Sequence, residues 1–188
     1  MRATMLSLSR ATIVMAGALL GAVPLAASAQ SGVQAVWVHR HVRFIYQGFT
    51  TYYSCGGLRE EVERMLQKLG ARDLKVNEYG CVEGSGVETF PGVQVRMQVL
   101  APASSKHGKA VGPVLYAHWQ NVVLLAGNSS LQDQGNCELI EQFKETFLPL
   151  FTTRNIRYES NCVPHQLSYG THLSTEVLMA PAPPVRGH

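Results

Sequence analysis

Residues 35 to 47 alternate between apolar and polar positions. Val36, Val38, Val42, Phe44 and Tyr46 share one face, interrupted by Arg40, and Trp37, His39, His41, Arg43 and Gln47 share the other. That period of two predicts a strand with one face buried. From residue 57 to 70 the period changes to that of a helix, with Leu58, Val62, Met65, Leu66 and Leu69 on one stripe. Ser54 is placed to cap its start, Glu60, Glu61 and Glu63 lie towards its positive end, Lys68 towards its negative end, and Gly70 stops it. Leu74 to Tyr79 reads as a short strand running into Cys81. After a glycine-rich stretch, Val93, Val95, Met97 and Val99 alternate with Gln94, Arg96 and Gln98, another half-buried strand that ends at Ala101-Pro102.

The order strand, helix, strand, strand then recurs. Residues 114 to 126 predict a strand, and 137 to 148 a helix with Leu139, Ile140, Phe143 and Phe147 on its stripe, Asn136 as cap and Pro149 as terminator. Asn155 to Ser160 predicts a short strand into Cys162, and Leu173 to Met179 a last one before Ala180-Pro181. The register of the halves agrees as well: each first cysteine starts a helix and each second one ends the next strand. This predicts an internal duplication. The expected fold is α+β: a two-layer sandwich of tandem βαββ repeats, ferredoxin-like in order, with one mainly antiparallel sheet and two helices on one face. The domains would be a signal peptide (1–29), a first repeat (30–102), a linker (103–113), a second repeat (114–181) and a disordered tail (182–188), the repeats together forming one domain.

Four cysteines allow three pairings. The repeat selects Cys55–Cys81 and Cys137–Cys162. A helix that follows a strand starts at the strand's far end, and the next strand returns to finish beside that start, so the two sulfurs can meet. Disulfides need an oxidising compartment, and the N-terminus fits one: Arg2 and Arg10, an apolar run from Ala11 to Ala27, then Ala27-Ser28-Ala29, the pattern of a secretory signal peptide. No later stretch reaches the roughly 20 apolar residues of a membrane helix. The protein is therefore expected in the bacterial periplasm or outside the cell, with no transmembrane segment once the signal is cleaved. Removing Arg2 and Arg10 from 16 basic residues leaves 14 against 13 acidic ones. So small an excess argues against nucleic acid as a partner, which demands clustered positive charge.

The chemistry that remains lies on the sheet face opposite the helices. Trp37, His39, His41, Arg43, Arg96, Tyr116, His118 and Gln120 form the candidate binding face, with His172, Ser174 and Glu176 beside it. In the repeat, Trp37 is matched to Tyr116 and His39 to His118. The structural reading is a solvated sheet face crossed by a few aromatics. The functional one is a recognition surface for an envelope protein, a peptide or a glycan, since Trp, Tyr and Arg concentrate binding energy. A third reading is a metal site from His39, His41 and His118, because histidines two apart on a strand can face one ion. No cofactor is expected. The sequence has no G-x-S-x-G, Walker A, H-E-x-x-H or G-x-G-x-x-G motif, and no helix follows Gly84-Ser85-Gly86 to cradle phosphate. Glu60, Glu61 and Glu63 resemble paired carboxylates but fall on the solvated side of their helix.

The stretch Tyr53-Ser54-Cys55-Gly56-Gly57-Leu58, the helix after it, Leu69-Gly70-Ala71-Arg72 and Cys81 resemble a group of exported proteobacterial proteins of unknown function. The resemblance covers about thirty residues and implies an envelope location and an intact cysteine pair, with no activity attached. The strand and helix order is similar to ferredoxin-like sandwiches, an analogy of fold that carries no function. The expectation is an exported, disulfide-stabilised, non-catalytic binding or structural module. The alternative is a metal-binding protein or an enzyme using His39, His41 and His118.

Overall fold

The computed structural model describes residues 32–82, 86–105, 108–125, 136–163 and 171–181. The expected signal peptide, the residues Gly84-Ser85, the stretch around Pro164 and Gly170 and the tail beyond residue 181 lie outside them. The elements follow in the order β1 (Val33–Ile45), α1 (Cys55–Lys68), β2 (Arg72–Tyr79), β3 (Gly92–Pro102), β4 (Ala110–Leu125), α2 (Cys137–Thr146), a 3-10 turn (Leu148–Leu150), β5 (Thr153–Glu159) and β6 (His172–Met179). The strands form one six-stranded antiparallel sheet in the order β2-β3-β1-β4-β6-β5. In each half the strand after the helix is separated from the strand before it by an inserted antiparallel neighbour, the split βαβ arrangement.

Helix α1 forms where the sequence supplies both of its ends. Ser54 Oγ accepts the Gly57 N–H at 3.1 Å. At the other end Gly70 adopts φ 81°, its N–H reaches Gln67 O at 2.9 Å, and Ala71 N–H reaches Leu66 O at 3.1 Å. These two bonds define a Schellman cap, which glycine's lack of a Cβ permits. Leu58, Val62, Met65 and Leu66 of α1 and Leu139, Ile140 and Phe143 of α2 are buried against the same sheet face, on Val38, Phe44, Val95, Met97, Val99, Val122, Leu124, Leu173 and Val177. The two helices thus cover one face, giving the two-layer α+β sandwich. Phe147 joins the halves of this core, edge-on to Phe44 at 5.3 Å and against Phe143 at 4.8 Å between ring centroids.

Disulfides connect Cys55 to Cys81 and Cys137 to Cys162, with Cα atoms 6.3 and 5.8 Å apart, and no cysteine is free. Each bridge ties a helix start to the far end of the following strand. The two bonds fit an extracellular or periplasmic protein, and no described helix is long and apolar enough to cross a membrane.

Three local expectations are corrected. Strand β4 begins at Ala110, inside the expected linker, because Ala110–Ala117 pair with the start of β1 while His118–Leu125 pair with β6. Asn136 makes no side-chain cap to α2; its amide is used across the molecule, as described below. Glu61 is not simply solvated: its carboxylate pairs with Arg64 and accepts the Asn136 Nδ2 hydrogen at 3.0 Å.

Candidate functional site

On the sheet face away from the helices, β2, β3 and β1 set their side chains in rows. Lys75 is the register partner of Arg96, and Arg96 that of His41. Arg72 pairs with Gln98 and Gln98 with His39; Asn77 pairs with Gln94 and Gln94 with Arg43. These nine positions hold four permanent cations, two histidines and no carboxylate. Asp73 stands beside them, its Oδ2 3.7 Å from Arg72 Nε. Side-chain contacts order the patch. Gln94 Nε2 meets His41 Nε2 at 2.8 Å, the Arg43 guanidinium lies 5.0 Å from the centre of the Tyr79 ring, and Arg72 lies 4.8 Å from that of Trp37. Gln98 is buried, and its Oε1 has no hydrogen-bond partner among the described residues. Arg43, Arg72, Lys75, Arg96, His39 and His41 are all exposed.

The other half of the same face is built differently. Trp119 takes the place beneath an arginine, with Arg154 4.2 Å from its ring centre. Arg154 is also ion-paired to Glu176, which accepts a hydrogen from Asn155 Nδ2 at 3.1 Å. The hydrogen bonds from Arg154 and Asn155 hold the Glu176 carboxyl below its ordinary value. Charge is balanced there, whereas the β2-β3-β1 rows are left cationic. The net charge of the chain, +3, conceals this segregation.

The expected binding face is corrected in two respects. Tyr116, His118 and Gln120 lie on the helix side of the sheet, not with His39 and His41. Their strand continues in phase into Val122 and Leu124, which belong to the main core, and its register with β6 is unbroken from His118 to Leu125. Tyr116 pairs with Gln34, whose Nε2 reaches the Tyr116 hydroxyl at 3.3 Å. The trio His39, His41 and His118 is therefore divided between opposite faces and cannot close on one ion. Among the described residues no group of three or more His, Cys, Asp or Glu side chains is placed to hold a metal. The second correction concerns Trp37, only 6% exposed, which joins Ala35, Leu100, Ala117 and Leu178 in a small apolar cluster on the helix-free face. Its indole is a packing element under Arg72 and not an open aromatic platform.

One polar cluster had no counterpart in the sequence reading. Glu138, buried in the first turn of α2, accepts N–H groups from Phe49 at 2.9 Å and Thr50 at 3.1 Å, and the Tyr46 hydroxyl at 3.2 Å. Burial pushes the Glu138 carboxyl up, but these bonds, led by the backbone N–H groups of Thr50 and Phe49, outweigh it and hold the group below its ordinary value. Burial, and then the charge of Glu138, push the Tyr46 phenol well up. The single Tyr46 O–H hydrogen is shared with Thr51 O, 2.9 Å from the hydroxyl. Tyr53 donates to Asn136 Oδ1, and the Asn136 amide continues to Glu61. Gln47 and Gln142 exchange two further bonds of 3.0 and 2.7 Å. A cavity of about 140 Å³ opens beside them, lined by Gln47, Phe49, Glu138, Glu141, Gln142 and Cys162. The donors around Glu138 are the protein's own, so the carboxylate is engaged in clamping residues 46–53 to α2. The sequence places Tyr46 on the core face, but nothing in it marks Glu138 as buried, since its partners are backbone N–H groups of a distant loop.

Compared with known proteins, the chain matches no family model, no curated protein and no solved structure.

Proposed function

We propose that this protein is an exported, disulfide-stapled, non-catalytic binding module that recognises an anionic partner through the β2-β3-β1 face. The carrying observation is the ladder Lys75–Arg96–His41, flanked by Arg43 and Arg72. Like charges directly opposite on neighbouring strands are destabilising. The second half of the sheet shows how the fold relieves such a position, by setting Glu176 beside Arg154. In the first half Gln98 stands at the corresponding place beside Arg72. A cationic face kept without its carboxylate is suited to an acidic ligand that supplies the missing charge.

The comparison between halves rests on a duplication, which is part of the proposal. Three observations support it. The strand after each helix carries one bulge, between Arg72 and Lys75 and between Arg154 and Arg157. Inside each bulge is a non-glycine residue at positive φ, Asp73 at 47° and Asn155 at 53°. The β1/β4 seam obeys the same relation. At the spacing that separates Cys55 from Cys137, Gln34 corresponds to Tyr116, and these two are register partners, flanked by Val33↔Ala117 and Ala35↔Leu115. Trp37 then corresponds to Trp119, each under an arginine, and not to Tyr116.

Retention on heparin-agarose, a polyanion of no particular specificity, tests the reading. Residues 31–188 should be retained at about 0.15 M salt, and the double variant Lys75→Glu/Arg96→Glu should pass through. Arg157→Glu, a change on the same face of the charge-balanced half, should be retained like wild type. Passage of the wild-type protein, or equal retention of the double variant, would remove the anion-binding reading.

A further inference from the structure

Beyond the cationic rows, towards the end of the sheet where β1 and β2 finish and β3 begins, the surface changes character. Ile45, Phe49, Tyr52, Val82, Val87 and Phe90 are each between 49% and 69% exposed. Ile45 ends β1, and the others sit on the segments that follow β1 and precede β3, which are bound to one another. Tyr46 N–H reaches Pro91 O at 2.9 Å, Glu88 N–H reaches Tyr53 O at 3.2 Å, and Glu88 Oε1 accepts the Val82 N–H at 3.3 Å. The Cys55–Cys81 bridge and the Glu138 clamp fasten the same loops to the helices. Large apolar side chains are thus held out to solvent on an anchored backbone. Exposed apolar clusters of this kind mark interaction sites, and anchoring lowers the ordering cost of using them.

The apolar tip and the cationic rows are continuous. Ile45 and Tyr79 both pair with Gly92 at the sheet's end. Arg43 lies two residues back along β1, and the His41–Arg96–Lys75 row lies four residues back. At about 3.3 Å per residue these are roughly 7 and 13 Å from the tip. Two of the described carboxylates near the tip have partners: Glu78 lies 3.8 Å from Arg59 Nε, and Glu88 accepts Val82 as described. Two anchored segments bearing exposed aromatic and branched side chains, followed at headgroup depth by a band of Arg, Lys and His, match an anionic lipid surface. The acyl boundary accepts an irregular apolar tip without a complementary pocket, and the phosphates meet the cations.

We infer that this end of the fold docks on the surface of a membrane rich in anionic phospholipid headgroups, with the exposed side chains of Ile45, Phe49, Tyr52, Val82, Val87 and Phe90 at the acyl boundary and the β2-β3-β1 face against the phosphates. The inference rests on the anion-binding reading and adds the partner's class and the orientation of the protein upon it. The protein for the test is residues 31–188, the unit that contains every described element and both bridges, so that the apolar run before it cannot itself bind lipid. Its far-UV circular dichroism and melting temperature confirm the fold of each variant.

Co-sedimentation is measured with vesicles of phosphatidylglycerol and phosphatidylethanolamine, and with vesicles of phosphatidylcholine alone. The protein should sediment with the former and not the latter. Lys75→Glu/Arg96→Glu should lower the partition coefficient by at least about tenfold, given roughly fivefold per cation at an anionic surface. Val87→Asp/Phe90→Asp should lower it comparably while leaving heparin retention unchanged. Heparin retention without vesicle binding overturns the membrane inference and leaves the anion-binding reading standing; loss of both fells both. Equal binding to the two kinds of vesicle, or undiminished binding by Val87→Asp/Phe90→Asp, also overturns it. So does a wild-type dimer in light scattering that Val87→Asp/Phe90→Asp converts to monomer, since the tip would then be covered by a second copy.

Discussion

Glu138 and Tyr46 are where single side chains decide most. Glu138→Ala would leave the N–H groups of Phe49 and Thr50 without their acceptor in a part-buried setting, at an expected cost of about 2–4 kcal/mol. Glu138→Gln keeps one acceptor oxygen and should cost about half of that. Urea unfolding with an unchanged m-value would measure both. The pH dependence has a definite sign at each end. The Glu138 carboxyl is held below its ordinary value in the fold, so its contribution is complete above about pH 4.3 and is lost as the pH falls through the folded value. The difference in stability between wild type and Glu138→Gln should therefore shrink below about pH 4. The Tyr46 phenol is pushed up, so its contribution is complete below about pH 10 and declines above it. Tyr46→Phe should lose about 1 kcal/mol at neutral pH through the bonds to Thr51 O and Glu138, and should show a flatter alkaline limb than wild type.

At the scale of elements, the two bulges form a matched pair with unequal supports. Asp73 and Asn155 both occupy the left-handed region, which costs an L-residue about 1 kcal/mol and glycine almost nothing. Among the described residues Asp73 has a solvent-exposed ion pair with Arg72 to lose, so Asp73→Gly should raise stability by about 0.5–1 kcal/mol. Asn155 also donates to Glu176, so Asn155→Gly should gain less or nothing; thermal melts of the two variants would separate these outcomes. Neither bulge was legible in the sequence, because a bulge is a mismatch between two strands and a periodicity search sees one strand at a time. The helices and the faces of β1 and β3 were legible, since their alternation runs against a helix layer along the whole strand. The phase of β4 departs from its apparent alternation for a physical reason. Tyr116, His118 and Gln120 are polar or amphipathic, yet share a face with Val122 and Leu124, while Ala117 and Trp119 are drawn into the second apolar cluster on the other side. Apolar character changes sides along that strand, so alternation alone assigns its first half to the wrong face. The cationic rows were half visible: Arg43, Arg96 and the two histidines follow from alternation, whereas Arg72 and Lys75 needed the β2/β3 register.

For the whole molecule, the contacts across the seam argue that the halves stand or fall together. Phe44 of the first half packs on Phe147 of the second. Thr152 Oγ1 donates to Leu100 O at 2.8 Å. The Glu138 clamp and the Asn136–Glu61 bond cross between the same halves, and Trp37 is buried beside Leu178 and Ala117. Each bridge closes a loop inside its own half and restrains the unfolded chain by about 3 kcal/mol in the entropy model, but neither joins one half to the other. Cooperativity must therefore come from the shared core. The chain supplies a test in its two tryptophans, Trp37 on β1 of the first half and Trp119 on β4 of the second, both packed at the seam. In Trp119→Phe the fluorescence follows the surroundings of Trp37, which include Leu178 and Ala117 of the second half, and in Trp37→Phe it follows those of Trp119. In each variant the fluorescence transition in urea should coincide with that of far-UV circular dichroism, which follows both halves. A fluorescence midpoint displaced from the dichroism midpoint in either variant would show that one half unfolds without the other. The apolar seam between β1 and β4 would then be a docking contact between two small domains and not the centre of one.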